Sequence, residues 1–249
     1  LFFDDELEGT NQMNKFQGVF PVDSDETIVW GHIEKNHQLK NGIREENIQV
    51  LGNPYYDRIR NKPNPKTNHI LLATSGPVIE NSIDLTIETI EKNQATIKKI
   101  CEVTTNLQKN LVIKLHPSPD EFDPSFIAKQ VNSKIKVIKE GNISPLVQSC
   151  DLMIVIDFGS PVLDAHILKK PVISVSVKDN GWGIPTALKN NSCLTTDLEK
   201  FEDDLKDVLN NNDIRNQLIK NGTKSSNEYL SYQNNGSSKL IGFLEEFVN

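Results

Sequence analysis

The sequence predicts an α/β protein built on a doubly wound parallel sheet, and three observations carry that expectation. Five short runs rich in Val, Ile and Leu, at 69–74, 111–115, 135–138, 152–156 and 172–176, recur with helix-length segments between them. Most of these runs lack polar alternation, the pattern of strands buried on both faces. The runs also end in small polar loops: Ser75-Gly76 after the first, His116-Pro117 after the second, and Asp157-Phe158-Gly159-Ser160-Pro161 after the fourth. Strands alternating with helices imply right-handed crossovers with helices on both faces of the sheet. In such a sheet ligands bind outside the carboxyl ends of the strands, so these loops share one edge.

Taken in order, Glu26–Trp30 and Asn47–Leu51 read as strands bracketing a helix at Ile33–Asn41. Gly52-Asn53-Pro54-Tyr55-Tyr56-Asp57 follows. Residues 61–68 are polar, and Pro63 and Pro65 make them extended and helix-averse, as in an interdomain linker. Residues 1–60 are thus expected to close an upstream α/β domain, and residues 69–249 to form the second. After the first long strand, Ile83, Ile87, Ile90, Ile97 and Cys101 recur at helical spacing, with Asn81 or Ser82 as cap. Further helices are expected at 123–131, 144–150 and 161–168, and from about 197 onward. The Asn/Ser-rich stretch 225–238 reads as a loop before a last amphipathic helix, Lys239–Val248. His69 and His166 read as surface or strand-edge residues. The chain opens at Leu1 on an acidic stretch and is expected to be a piece of a longer protein.

Composition narrows the function classes. With 37% hydrophobic and 24% charged residues the chain reads as an ordinary globular protein. A net charge of −7 argues against nucleic acid as the main partner, though it leaves room for a local basic cleft. No apolar run approaches the ~20 residues that span a bilayer. Cys101, Cys150 and Cys193 lie far apart without a CxxC pair. They are expected as reduced core residues, and the setting as cytoplasmic.

If the first and fourth strands are neighbours at the switch point, Ser75-Gly76 faces Gly159-Ser160 across a crevice. Glycine lets backbone N–H groups approach an anion, and Ser160 with Pro161 suits the start of a helix aimed at a phosphate. Asp164 lies one turn further on, roughly on the same face, where a carboxylate can accept from a ribose diol. His116 is a donor at the same edge, and Glu140-Gly141-Asn142 stand where a base or ribose is met. Against these readings, a Gly-Ser turn is commonly plain capping, His116 before Pro can merely end a strand, and Asp164 can be a solvated first-turn acid. Gly181-Trp182-Gly183 reads either as a substrate loop or as a packed turn. No Asp-x-Asp motif follows a predicted strand, so no metal is expected.

The segment Asp25–Gly31 with Val50–Asp57 resembles the end of the N-terminal domain and the hinge of GT-B enzymes. The branches it is most similar to are the UDP-N-acetylglucosamine 2-epimerases, the CDP-glycerol glycerophosphotransferases and the capsule-polysaccharide transferases. Lys114-Leu115-His116-Pro117 resembles the His-Pro motif of capsule, sialyl- and polysialyltransferases, where the histidine meets the leaving phosphate. Cys150–Ala165, ending at Lys170-Pro171-Val172, resembles that superfamily's donor-nucleotide signature, in which small residues hold the phosphates and an acid, usually Glu, holds the ribose. The resemblance implies a Rossmann-like GT-B C-terminal domain at 69–249 with a remnant of the upstream domain. It assigns His116 to catalysis and Phe158, Gly159, Ser160 and Asp164 to the donor nucleotide, where Ser75, Gly76, Glu140, Gly141 and Asn142 join them by their expected place on the sheet edge. Two departures stand out: the epimerases' Arg-rich loop is here Ser75–Asn81, which weighs against epimerisation, and Asp164 stands in place of Glu.

The function implied is a transferase of surface polysaccharide or glycan synthesis. It would use a UDP-, CDP- or CMP-activated sugar or polyol as substrate, a glycan or lipid-linked acceptor, and no separate cofactor. It would work in the cytoplasm, at the inner membrane face for a lipid-linked acceptor, with a catalytic base drawn from the upstream domain. The alternatives are a non-hydrolysing UDP-N-acetylglucosamine 2-epimerase and a non-catalytic sugar-nucleotide-binding module.

Overall fold

A computed structural model of the chain describes residues 24–60, 68–74, 87–117, 122–177 and 191–248. The chain divides into two compact units. Among the described residues, the first holds 24–60 and 223–248, and the second holds 68–74, 87–117, 122–177 and 191–222. Residues 223–248 thus fall with the first unit, whereas the sequence reading carries the second domain to 249.

In the first unit, strands β1 (Thr27–Val29) and β2 (Ile48–Val50) pair in parallel, with Val29 opposite Val50. Helix α1 (His32–Lys40) and a 3-10 turn (Glu45–Asn47) connect them. Helix α2 (Pro54–Arg60) opens on a proline, whose fixed φ suits a first helical position.

The second unit carries a six-stranded, all-parallel sheet. Its strands are β3 (His69–Ala73), β4 (Asn110–Lys114), β5 (Lys136–Ile138), β6 (Leu152–Ile156), β7 (Val172–Val175) and β8 (Leu194–Thr196), in the spatial order β5-β4-β3-β6-β7-β8. That is a doubly wound order, with the first and fourth of these strands adjacent and Leu72 opposite Ile154. The crossovers contain α3 (Ile87–Asn106), α4 (Ser125–Val131), α5 (Ser144–Ser149) and α6 (Pro161–Ile167), and α7 (Phe201–Asn210) follows β8. Every residue of β3, β6 and β7 is buried, as expected of strands covered on both faces. Ile97 and Ile100 of α3 and Phe201 and Leu205 of α7 join Ile70, Ile113, Leu152 and Ile173 in one core.

The sequence expectations hold for the five long strands and fail at particular places. β8 was not foreseen, because Leu-Thr-Thr is too short and too polar to announce a strand; its pairing with β7 (Leu194 opposite Ile173) makes it one. Ile97 and Cys101 of α3 are buried but Ile90 is exposed, since only the later turns of that helix lie on the core. Helix α8 (Asn212–Tyr229) runs through the start of the expected loop at 225–238, and α9 (Gly236–Val248) begins before Lys239. His166 is fully enclosed within α6, neither a surface nor a strand-edge residue as expected, and His69 is buried at the first position of β3. The three cysteines are free and buried. Burial pushes each thiol up to about 12, so none is reactive as a thiolate at neutral pH. Among the described residues, no helix is long and apolar enough to cross a membrane. Ser75, Gly76, Asn81, Ser82, Gly181, Trp182 and Gly183, and nearly all of the expected linker, lie outside the described residues.

Candidate functional site

The carboxyl edge of the sheet opens into a cleft of about 360 Å³. Four strand ends contribute to it: Thr74 after β3, Lys114 to Pro117 at the end of β4, Lys139 to Ile143 after β5, and Ser160 with Pro161 after β6. It therefore spans the switch point between β3 and β6, where the strand order predicts a ligand.

His116 is held by its main chain. Its N–H donates to Thr74 Oγ1 at 3.1 Å, and its carbonyl accepts from Lys139 Nζ at 2.9 Å, so neighbours on either side of β4 fix the loop and leave the imidazole exposed. Lys114, the last residue of β4, is buried at 5% exposure. Its ammonium donates to Leu115 O at 2.9 Å and Lys139 O at 2.7 Å. Gly141 takes φ +82°, a left-handed conformation that costs a residue with a Cβ appreciably more, and Asn142 Oδ1 accepts from Ser144 N at 2.8 Å to start α5. Among the described residues that line the cleft, Lys114 and Lys139 are the cations and Glu140 the acid.

On the β6 side, Ser160 occupies the N-cap position of α6, yet it has helical φ and ψ and its hydroxyl makes no capping bond. The expected capping role is therefore not the one it plays, and it faces the cleft with Pro161. Phe158 and Gly159 are half-buried in the preceding turn and do not line the cleft. Asp164 does not line it either. It is buried at 6% exposure, its Oδ1 has no hydrogen-bond partner among the described residues, and burial pushes its carboxyl up to about 7. The structure thus brings together His116, Glu140, Gly141, Asn142 and Ser160, and sets Asp164 apart as a buried acid.

Sequence reasoning missed four residues that build this edge: Thr74, Lys114, Lys139 and Asp157. Asp157 is a non-glycine residue at φ 58°, directly after β6. Its Oδ1 accepts from Val177 N at 2.7 Å, and its carbonyl accepts from the Ser174 hydroxyl, so it ties the β6–α6 turn to β7. A non-glycine residue in that conformation persists only where its surroundings over-determine it, and such positions cluster at functional sites. The available signal was an aspartate, which tolerates left-handed backbone, at the end of an apolar run.

No family model matches the sequence, and no curated protein matches it. Solved structures do match in fold. S. aureus MnaA, solved with UDP, is 16% identical over 91% of this chain and 61% of its own, with a TM-score of 0.62. The UDP-GlcNAc 2-epimerase of Neisseria meningitidis, bound to UDP-GlcNAc, is 15% identical over 90% and 62%, with a TM-score of 0.57. That of Methanocaldococcus jannaschii, in complex with UDP-GlcNAc and UDP, is 20% identical over 90% and 61%, with a TM-score of 0.52. The chain spans about six-tenths of the length of these proteins. At such identities the likeness is one of fold alone.

Proposed function

We propose that this chain forms the donor side of a GT-B-type enzyme acting on a nucleotide-activated sugar or polyol phosphate, a glycosyltransferase or glycerophosphotransferase of surface polysaccharide or glycan synthesis. The observation that carries the reading is the single cleft into which His116, Glu140–Asn142 and Ser160 converge at the switch point. Its volume falls in the ~300–1,000 Å³ range of ligand pockets. The nucleotide phosphates would lie between His116 and the Gly159-Ser160 turn, with the ribose and base toward Glu140-Gly141-Asn142. Ser75-Gly76 remains a candidate by its place after β3, and Asp164 on the resemblance alone.

In the transfer step, an acceptor hydroxyl oxygen bonds to the anomeric carbon of the sugar, or to the phosphorus of the polyol phosphate, as the bond from that atom to the leaving nucleotide's phosphate oxygen breaks. The hydroxyl proton goes to a base drawn from the upstream domain, and the electron pair stays on the phosphate oxygen. The Ser160 hydroxyl and the His116 imidazole donate hydrogen bonds to that oxygen as its charge develops, and His116 can transfer a proton to it. Stabilising charge that grows in the transition state is commonly the largest catalytic contribution. The donor is itself the substrate, and the reading invokes no cofactor and no metal. The acceptor is a glycan or a lipid-linked chain, in a cytoplasmic setting.

Thermal unfolding of the chain with UDP, CDP, CMP and GDP tests the reading. A nucleotide that fits should stabilise by about 2.7 kcal/mol at a hundredfold excess over its Kd. His116→Ala should lower turnover of the full enzyme far more than donor affinity. No stabilisation by any of the four would refute the assignment. The fold likeness to two UDP-GlcNAc 2-epimerases favours a second reading, epimerisation. Epimer formation from UDP-GlcNAc without an acceptor would establish that reading, and nucleotide binding with no turnover at all would leave a binding module.

A further inference from the structure

Lys114 and Lys139 form a reciprocal strap between neighbouring strand ends. The ammonium of Lys114 holds the carbonyl of Lys139, and the ammonium of Lys139 holds the carbonyl of His116, two residues along from Lys114. Lys114 is buried in the wall, whereas Lys139 is half-buried and lines the cleft. In the bond to His116 its acceptor is a neutral carbonyl oxygen. A phosphate oxygen entering the cleft offers the same ammonium a hydrogen bond between opposite full charges, a stronger acceptor in a partly desolvated place.

Resting on the donor reading above, we propose that Lys139 is an anion ligand of this cleft, which exchanges the His116 carbonyl for a phosphate oxygen of the bound nucleotide. The site then counts charge: a nucleoside diphosphate is preferred over the nucleoside. Anion capture also releases one of the two main-chain restraints on His116, which links the filling of the site to the freedom of the imidazole. Lys114 keeps the loop that carries Lys139 in place.

Calorimetric titration of the 249-residue chain with UDP, uridine and inorganic pyrophosphate tests this, on wild type, Lys139→Met and Lys139→Arg. Lys139→Met should weaken UDP about tenfold, the worth of one charge-assisted hydrogen bond, and leave uridine within about twofold. Lys139→Arg should retain most of the UDP affinity. Salt should weaken UDP binding more steeply in wild type than in Lys139→Met. Retained uridine binding shows that the methionine variant is folded. Wild-type affinity for UDP in Lys139→Met, or an equal loss of UDP and uridine, would overturn the proposal. Pyrophosphate bound through Lys139 by a chain that binds no nucleotide would uphold the anion ligand and overturn the donor reading. A chain that binds none of the three overturns both.

Discussion

Asp164 shows how far one side chain can depart from what its position in the sequence suggests. The spacing from Ser160 makes it a first-turn acid at a ligand edge, but Val162, Ala165, His166 and Ile167 on the same short helix are all buried and take Asp164 inside with them. Its carboxyl titrates near 7 in the folded chain because burial disfavours the anion, against an ordinary 3.8. Between those two pH values the folded chain holds a proton that the unfolded chain has released, so stability falls as pH rises through the window. The loss is at most about 4 kcal/mol. Asp164→Asn keeps the shape without the ionisation. It should match wild type at about pH 4 and exceed it in urea midpoint at about pH 8. A variant no more stable than wild type at the higher pH would mean that the anion is solvated or bonded. His166 carries the opposite sign. Burial lowers it to about 4, so its neutral form favours folding above the ordinary 6.5, and that contribution is lost as pH falls toward 4.

Packing between elements explains why α6 and α8 meet where they do. A Cβ at Gly222 of α8 would lie 2.6 Å from His166 Cδ2, and His166 is itself fixed by its Nε2 against Ser192 O at 3.1 Å. Gly222→Ala gains about 1 kcal/mol in helix propensity but forces a buried ring aside, an overpacking cost of about 1–3 kcal/mol. The net is a destabilisation of about 0–2 kcal/mol, and it should turn into a gain of up to about 1 kcal/mol in a His166→Ala background. Chemical unfolding of the four chains of this double-mutant cycle measures the coupling; additive effects would mean that the two residues do not meet. Elements of this kind divide sharply in how legible they were. Apolar runs such as Leu152–Ile156 declare their strands, because burial on both faces is written in every residue. β8 and the last turns of α8 do not, because Leu194-Thr195-Thr196 becomes a strand only by pairing with β7, and polar Ser225 and Ser226 are helical because they are buried. The cleft divides the same way. The strand order brings His116, Glu140–Asn142 and Ser160 together, and that order follows from alternating strands and helices alone. Lys114 and Lys139 were passed over because a lysine at a strand end reads as solvated until the bonds of its ammonium are known.

At the scale of the whole molecule, contacts between residues far apart in sequence decide where the chain ends its elements. Asp57, on α2, accepts from Ser237 N at 2.7 Å and Gly236 N at 3.2 Å, and so caps α9 from 180 residues away in the sequence. This is why α9 starts at Gly236, although the local sequence, Asn234-Asn235-Gly236-Ser237-Ser238, reads as loop. Burial alone would raise the Asp57 carboxyl; the N–H donors of Ser237 and Gly236 outweigh it and hold the carboxyl below its usual range. A depressed carboxyl stabilises the fold above its unfolded value of about 3.8, and that contribution disappears as pH falls through the folded value. Asp57→Ala removes the acceptor from two orphan helix donors at once and should cost about 1–2 kcal/mol at neutral pH, the range of a lost N-cap. Amide exchange at Gly236 and Ser237 should speed up at pH 7, and the C-terminal helix should become the first site of limited proteolysis. Asp57→Asn keeps an oxygen but no charge and should fall between the two chains at pH 7. Once the pH is below the depressed folded value and the carboxyl is protonated, wild type and Asp57→Asn should converge. A constant gap between them at all pH values would show that packing of α2 against α9, and not the charge on Asp57, holds the C-terminal helix in the first unit.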